Sequence, residues 1–224
     1  MKPAILFDID GTLLYAKGLG RPAFAEAFAE TYGIQADFSD ISFVGATDTA
    51  IIRDLAAHFG TTSTPDKEER FFIALAEHLI PRLRGDNAIH VYPGVTSFLA
   101  SLTESGKMLG VVTGNIRATA WGKLIYAGLA PHFSFGSYAC DHADRNVLAR
   151  IACERAHAQG ACAKLLIGDT PKDIQAAHAV GLPCLAVATG GITAEELRLA
   201  GADAVVNDFT DLETLMPLIE SYLI

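Results

Sequence analysis

The chain has 224 residues, with 17 basic against 26 acidic side chains, a formal net charge of −9 and a half share of hydrophobic residues. That composition excludes a disordered, collagen-like or coiled-coil chain, and the length suits one large α/β domain or a core carrying a small second one. The acidic balance argues against a nucleic-acid binder, because affinity for a phosphate backbone needs clustered Lys and Arg and no dense basic run occurs.

The opening Met1-Lys2-Pro3-Ala4-Ile5-Leu6-Phe7-Asp8-Ile9-Asp10 meets two aspartates before an apolar signal core of about 7 to 15 residues forms. No apolar run approaches the roughly 18 residues of a membrane span. A soluble, cytoplasmic protein without a membrane partner is expected. Ala4 to Phe7 reads as a first strand. The next hundred residues or so carry no strong β signal but three helical candidates, roughly 22 to 32, 47 to 59 and 66 to 84. In the last, Phe71, Leu75 and Leu79 form an apolar stripe and Thr64-Pro65 marks the start. Residues 16 to 87 are therefore expected to be an inserted all-helical cap, with 1 to 15 and 88 to 224 as the core. The glycine-rich connections Tyr15 to Gly20 and Gly85 to Gly94 are its expected hinges.

From there apolar runs alternate with helical stretches. Met108 to Val112, Phe133 to Phe135, Lys164 to Ile167, Cys184 to Ala188 and Ala204 to Val206 read as buried parallel strands. Segments 94 to 105, 116 to 127, 145 to 158, 171 to 180 and 193 to 200 are long enough for the crossover helices between them. Thr170-Pro171 starts one helix, and Thr193-x-x-Glu196 and Thr210-x-x-Glu213 match capping boxes. The alternation predicts a doubly wound, mostly parallel Rossmann-like sheet. Cys140, Cys153, Cys162 and Cys184 form no C-x-x-C pair and are expected as buried thiols in a reducing compartment. His58, His78, His90, His132 and His142 show no metal-ligand spacing, and Trp121 reads as packing.

Asp8-Ile9-Asp10-Gly11-Thr12 follows the first strand directly, a pattern that arises by chance at about 10⁻⁵ per position from average residue frequencies. In an open parallel sheet, ligands bind beyond the carboxyl ends of the strands. Two further groups of polar residues fall at such ends: Thr113-Gly114-Asn115, and Gly168-Asp169 with Asp173. Either alone reads as a plain strand-to-helix turn, and Asp173 as a partner of a helix dipole. Their recurrence at equivalent ends favours a site.

The order D-x-D-G-T-L at 8 to 13, a helical insertion, Tyr92-Pro93-Gly94-Val95, Thr113-Gly114-Asn115 and Gly168-Asp169-x-x-x-Asp173 resembles the haloacid dehalogenase superfamily, most closely phosphatases similar to phosphoglycolate phosphatase. The resemblance implies a Mg²⁺-dependent phosphatase for a small-molecule phosphate monoester. Asp8 would be the nucleophile and Asp10 the general acid and base. Mg²⁺ would take oxygen ligands from Asp8, the carbonyl of Asp10 and Asp169, with Asp173 holding a metal-bound water. Thr113 with the amides of Gly114 and Asn115 would cradle the phosphoryl group. The family's usual lysine is missing from its place, and Arg145, at the start of a helix that Asp144 would cap, is the expected cation, with Lys172 or Lys123 as fallbacks. In the cap, Thr47 and Arg53 are candidates for substrate specificity, with an ordinary helix start equally compatible. A sugar-phosphate mutase and a catalytically silent binding domain are the alternatives; the second aspartate weighs against a dehalogenase. No oligomeric state follows from the sequence.

Overall fold

The computed structural model describes residues 1–36, 38 and 41–223. In chain order its elements are β1 (Lys2–Phe7), β2 (Leu14–Tyr15), α1 (Gly20–Tyr32), α2 (Asp48–His58), α3 (Pro65–Arg82), β3 (His90–Val91), α4 (Val95–Glu104) and β4 (Met108–Val112). They continue with α5 (Arg117–Tyr126), β5 (Phe133–Ser137), α6 (Arg145–Ala158), β6 (Ala161–Gly168), α7 (Pro171–Ala179), β7 (Cys184–Val187), α8 (Ala194–Leu199), β8 (Ala204–Val206) and α9 (Leu212–Tyr222). No helix among the described residues is long and apolar enough to cross a membrane.

Six strands form one sheet in the order β5-β4-β1-β6-β7-β8, and every pairing in it is parallel. This is the doubly wound α/β fold. Side chains alternate across β1: Ile5 and Phe7 pack on one face with Phe98 and Leu102 of α4, Leu124 of α5 and Ile219 of α9. Ala4 and Leu6 pack on the other with Leu148 and Ala152 of α6 and Ile174 of α7. Both faces are covered, which is why the strands read as continuous apolar runs. The chain winds outward from β1 through β4 to β5, then returns to place β6 on the other side of β1. The carboxyl ends of β1, β4 and β6 therefore share the central crevice where this topology binds ligands.

Between β2 and β3 the described residues hold helices α1 to α3. Phe24, Phe28, Ile52, Phe71, Leu75 and Leu79 make an apolar cluster of their own, which also takes in Ile116 and Ala139 of the sheet domain. Thr64 caps α3 through the Lys67 amide with Pro65 at the first helical turn, so the predicted start holds.

Three local expectations are corrected and one pairing is new. At the ends of the expected hinge segments runs a short antiparallel ladder, Leu14 opposite Val91 and Tyr15 opposite His90, with the Tyr15 ring against His90 and Tyr92. Two-residue strands leave too little periodicity to be read from sequence. The helix near 212 is capped by Asp211, which accepts from the Thr214 amide, while the Thr210 hydroxyl donates to Asp208. β6 begins at Ala161 rather than Lys164, so Lys164 lies in mid-strand rather than at its start. Cys184 is buried, but Cys153 and Cys162 are only partly so and Cys140 is exposed.

Candidate active site

β1 ends at Phe7, and Asp8 continues its ladder by donating its amide to the Ile167 carbonyl (2.9 Å). Its buried side chain thus sits at the sheet's centre. Gly11 turns the chain back with φ of +86°, a conformation glycine adopts without steric cost, and a Cβ there would run into the Asp169 carboxylate. The turn lets Thr12 Oγ1 donate to Asp169 Oδ1 (2.9 Å), while Thr189 Oγ1, beyond β7, donates to the Gly11 carbonyl (2.5 Å). Three strand ends are laced together around Asp8.

Two cations serve two aspartates. Arg145, wholly within the protein at the start of α6, places Nη2 2.6 Å from Asp8 Oδ1 and 2.6 Å from Asp173 Oδ1. Asp144 accepts from the Asn146 amide (2.8 Å) and so caps that helix, which aims its first side chain into the crevice. Lys123, buried on α5, places Nζ 2.6 Å from Asp10 Oδ2 and 2.7 Å from Asn115 Oδ1. Asn115 Nδ2 also donates to Asp10 Oδ2 (2.6 Å) and to Thr113 Oγ1 (2.8 Å). Lys123 lies two helical turns beyond Asn115, and a long side chain leans toward a helix's N-terminus, which brings its ammonium back to the strand end. A lysine on the apolar face of a predicted helix was the signal available in the sequence.

The electrostatics of this crevice call for more positive charge. Burial, opposed by Arg145 and reinforced by Asp173 and Asp10, lifts the Asp8 carboxyl to about 7. Burial and the charges of Asp8 and Asp173 lift Asp169 to about 8. Burial alone would lower Arg145, but Asp173 and Asp8 more than offset it and hold the guanidinium charged. Carboxylate oxygens of Asp8, Asp169 and Asp173 all lie within 4.8 Å of one another. Asp173 Oδ2 accepts from the amide and hydroxyl of Thr170 (3.0 and 2.7 Å), completing a capping box. Its Oδ1 is buried without a hydrogen bond of good geometry, despite the nearby Arg145. Three carboxylates so close together, with Arg145 as the cation between two of them, form a cluster of hard oxygen donors that fits a divalent cation such as Mg²⁺.

A cavity of about 380 Å³ opens over this centre, and Asp8, Asp10, Gly114, Asn115, Arg145 and Asp169 all line it. Thr113 does not: it is fully buried, and its hydroxyl oxygen accepts from the Asn115 amide (3.2 Å), so it braces Asn115 rather than facing a ligand. Asp173 likewise stays behind Arg145. The two cap candidates are turned elsewhere. Thr47 caps α2 by accepting from Ala50 (3.1 Å) and donates to the Ala143 carbonyl (2.7 Å), which commits its proton within the protein. Arg53 is forked onto Glu68 (2.6 and 3.0 Å) beside a separate hollow. The neighbouring Asp48 takes their place. Its amide donates to the Gly114 carbonyl (2.7 Å), its Oδ2 accepts from the Ile116 amide (2.8 Å), and its carboxylate lines the cavity. A Cβ on Gly114 would strike the Ala46 carbonyl, so only glycine lets this segment lie against the strand end. Burial, opposed by the Ile116 bond and by Lys123, raises the Asp48 carboxyl to about 6.

Residues 5–187 match the family model described as haloacid dehalogenase-like hydrolase. The chain is 29% identical to the probable phosphatase IndB of Dickeya dadantii over 95% of this chain and 92% of that one. It is 29% identical to phosphoglycolate phosphatase of Rhodobacter capsulatus over 99% of both. Among solved structures it superposes on CbbY from Rhodobacter sphaeroides in complex with phosphate, with a TM-score of 0.72 at 22% identity over 95% of this chain and 96% of that one. A β-phosphoglucomutase from Clostridium difficile gives 0.72 at 17% identity over 99% and 97%. At those identities the two structures speak to the fold.

Proposed function

The chain belongs to the haloacid dehalogenase-like hydrolases and is a phosphoric monoester hydrolase, and from that premise we propose a Mg²⁺-dependent phosphatase that works through an aspartyl-phosphate on a small monoester. Residues 16 to 87 are the cap over its site. The observation that carries the reading is the assignment of one cation to each aspartate: Arg145 against Asp8, and Lys123 with Asn115 against Asp10.

In this mechanism an Asp8 carboxylate oxygen attacks phosphorus, and the bond from phosphorus to the ester oxygen breaks. Asp10, held by Lys123 and Asn115, gives its proton to the departing oxygen. Asp10 then takes a proton from water as that water attacks phosphorus, the bond to Asp8 breaks, and inorganic phosphate leaves. Arg145 fixes the Asp8 oxygen and stabilises charge growing on the phosphoryl group. Asp8, the Asp10 carbonyl and Asp169 would hold Mg²⁺, with Asp173 as outer support, and the ion would offset repulsion between anionic substrate and carboxylates.

Relatives that are phosphoglycolate phosphatases make phosphoglycolate the first ester to try. A mutase needs cations in the cap for a second phosphate, and there Arg53 is forked onto Glu68 while Arg21 donates to a backbone carbonyl. The test is phosphate release from a panel of monoesters with Mg²⁺ and after chelation. Turnover that needs Mg²⁺ is expected; full activity in excess EDTA, or none on any ester, overturns the reading.

A further inference from the structure

On the cap side the cavity is walled by Phe24, Phe43, Val44, Ile51, Leu75 and Leu79. Several polar groups there are engaged within the protein. The Thr119 hydroxyl donates to the Ile116 carbonyl (3.2 Å), Asp48 holds the Ile116 amide, and Lys123 holds Asp10. Arg21 donates to the carbonyls of Phe38 and Ile41, with its guanidinium 4.9 Å from the centre of the Phe43 ring. Lys17 lies exposed at the rim, where water screens its charge. A leaving group that carries a carboxylate would thus meet the Asp48 carboxylate and an apolar wall, and among the described residues the cap-side cations that line the cavity, Lys17 and Arg21, are not buried.

Resting on the phosphatase reading above, we propose that the preferred substrates are phosphate monoesters whose alcohol portion is uncharged and presents an apolar, aromatic-sized face to this wall. The volume agrees: about 380 Å³ lies within the range of small-molecule pockets, and a two-carbon leaving group would leave most of it to water. Phe24 and Phe43 meet edge to face at 5.1 Å between ring centres, which builds an aromatic corner into this wall.

The experiment compares kcat/KM for 2-phenylethyl phosphate, ethyl phosphate and phosphoglycolate, all with alkyl leaving oxygens, and follows thermal stabilisation by non-hydrolysable 2-phenylethylphosphonate. We expect the phenylethyl ester to exceed ethyl phosphate at least tenfold and phosphoglycolate to fall at or below ethyl phosphate. Val44→Arg, at a position 58% exposed, should raise phosphoglycolate relative to the phenylethyl ester at least tenfold. A phenylethyl ester no better than ethyl phosphate, or phosphoglycolate above it in the native protein, overturns the inference while leaving the phosphatase reading intact. Stabilisation by the phosphonate without turnover of any ester has the opposite meaning: the apolar subsite stands and the catalytic reading falls. Neither stabilisation nor turnover overturns both.

Discussion

The rim of the sheet and the wall of the cap face the same cavity and follow opposite electrostatic rules. At the rim, charge is concentrated and matched: Asp8 with Arg145, Asp10 with Lys123, and carboxylates left over for a cation. On the cap wall Arg53 is turned onto Glu68, and Lys17 and Arg21, which line the cavity, are not buried, so the buried residues there are Phe24, Ile51, Leu75 and Leu79. Chemistry on a phosphoryl group needs preorganised charge at fixed points, whereas a wall that meets the rest of a substrate is shaped by packing. Asp48 is the exception on the cap side, and it binds the strand end rather than its own helices.

The comparison breaks most visibly at Asp8. Asp8→Asn should abolish phosphate release while the fold survives, because the amide is nearly isosteric, cannot act as nucleophile and removes a buried charge. Activity and a thermal melt measured together test this, and turnover near the native level would remove Asp8 from the reaction. Asp10→Asn should cost 10²- to 10⁴-fold, the usual range for a general acid, and least on esters with good leaving groups. Lys123→Met should show the same leaving-group dependence with a smaller loss, since the acid remains but is held by Asn115 without the ammonium; a loss independent of the leaving group would limit Lys123 to packing. Arg145→Ala should cost about 3 kcal/mol of transition-state stabilisation, as for a lost electrostatic donor, and Arg145→Lys should recover part of it. An unchanged kcat/KM in Arg145→Ala would send the search for the cation elsewhere.

Asp48 sharpens the contrast through pH. Its carboxyl is raised to about 6 in the folded protein from an ordinary value near 4, so the folded state holds the proton more tightly than the unfolded one. Its contribution to stability is therefore fully present at low pH and falls as pH climbs from about 4 to about 6, then stays level. Asp48→Asn keeps an acceptor for the Ile116 amide and carries no charge. It should match the native protein below about pH 4 and exceed it above pH 6, by at most about 3 kcal/mol. Melts across pH 4 to 8 read the difference, and a constant offset at every pH would locate the effect in packing. The smallest effect belongs to Arg53→Ala, which removes an exposed ion pair worth under about 1 kcal/mol and should leave kcat/KM unchanged.

The strand rhythm and the D-x-D-G-T turn were legible because both are local. A strand buried on two faces must be apolar along its length, and Gly11 needs its positive φ whatever surrounds it. The helix starts at Thr64, Asp144, Thr170 and Thr193 were legible for the same reason, since each cap bonds an amide a few residues away. Thr47 caps the helix whose start the sequence also allowed there, yet nothing near it in the sequence says that its proton goes to the Ala143 carbonyl, ninety-six residues on.

By itself, then, the sequence determined the parallel sheet, the placing of Asp8, Asp10 and Asp169 at strand ends, and the start of α6 at Arg145, because each follows from backbone periodicity, turn chemistry or capping within a few residues. Only the tertiary structure decided which cation meets which carboxylate, that Thr113 and Asp173 support the site from behind, that Asp48 rather than Thr47 or Arg53 faces the cavity, and that β2 pairs with β3. Each of these turns on which helix face is presented across a contact dozens of residues distant in the chain, where a side chain's partner is set by packing and the burial of its charge.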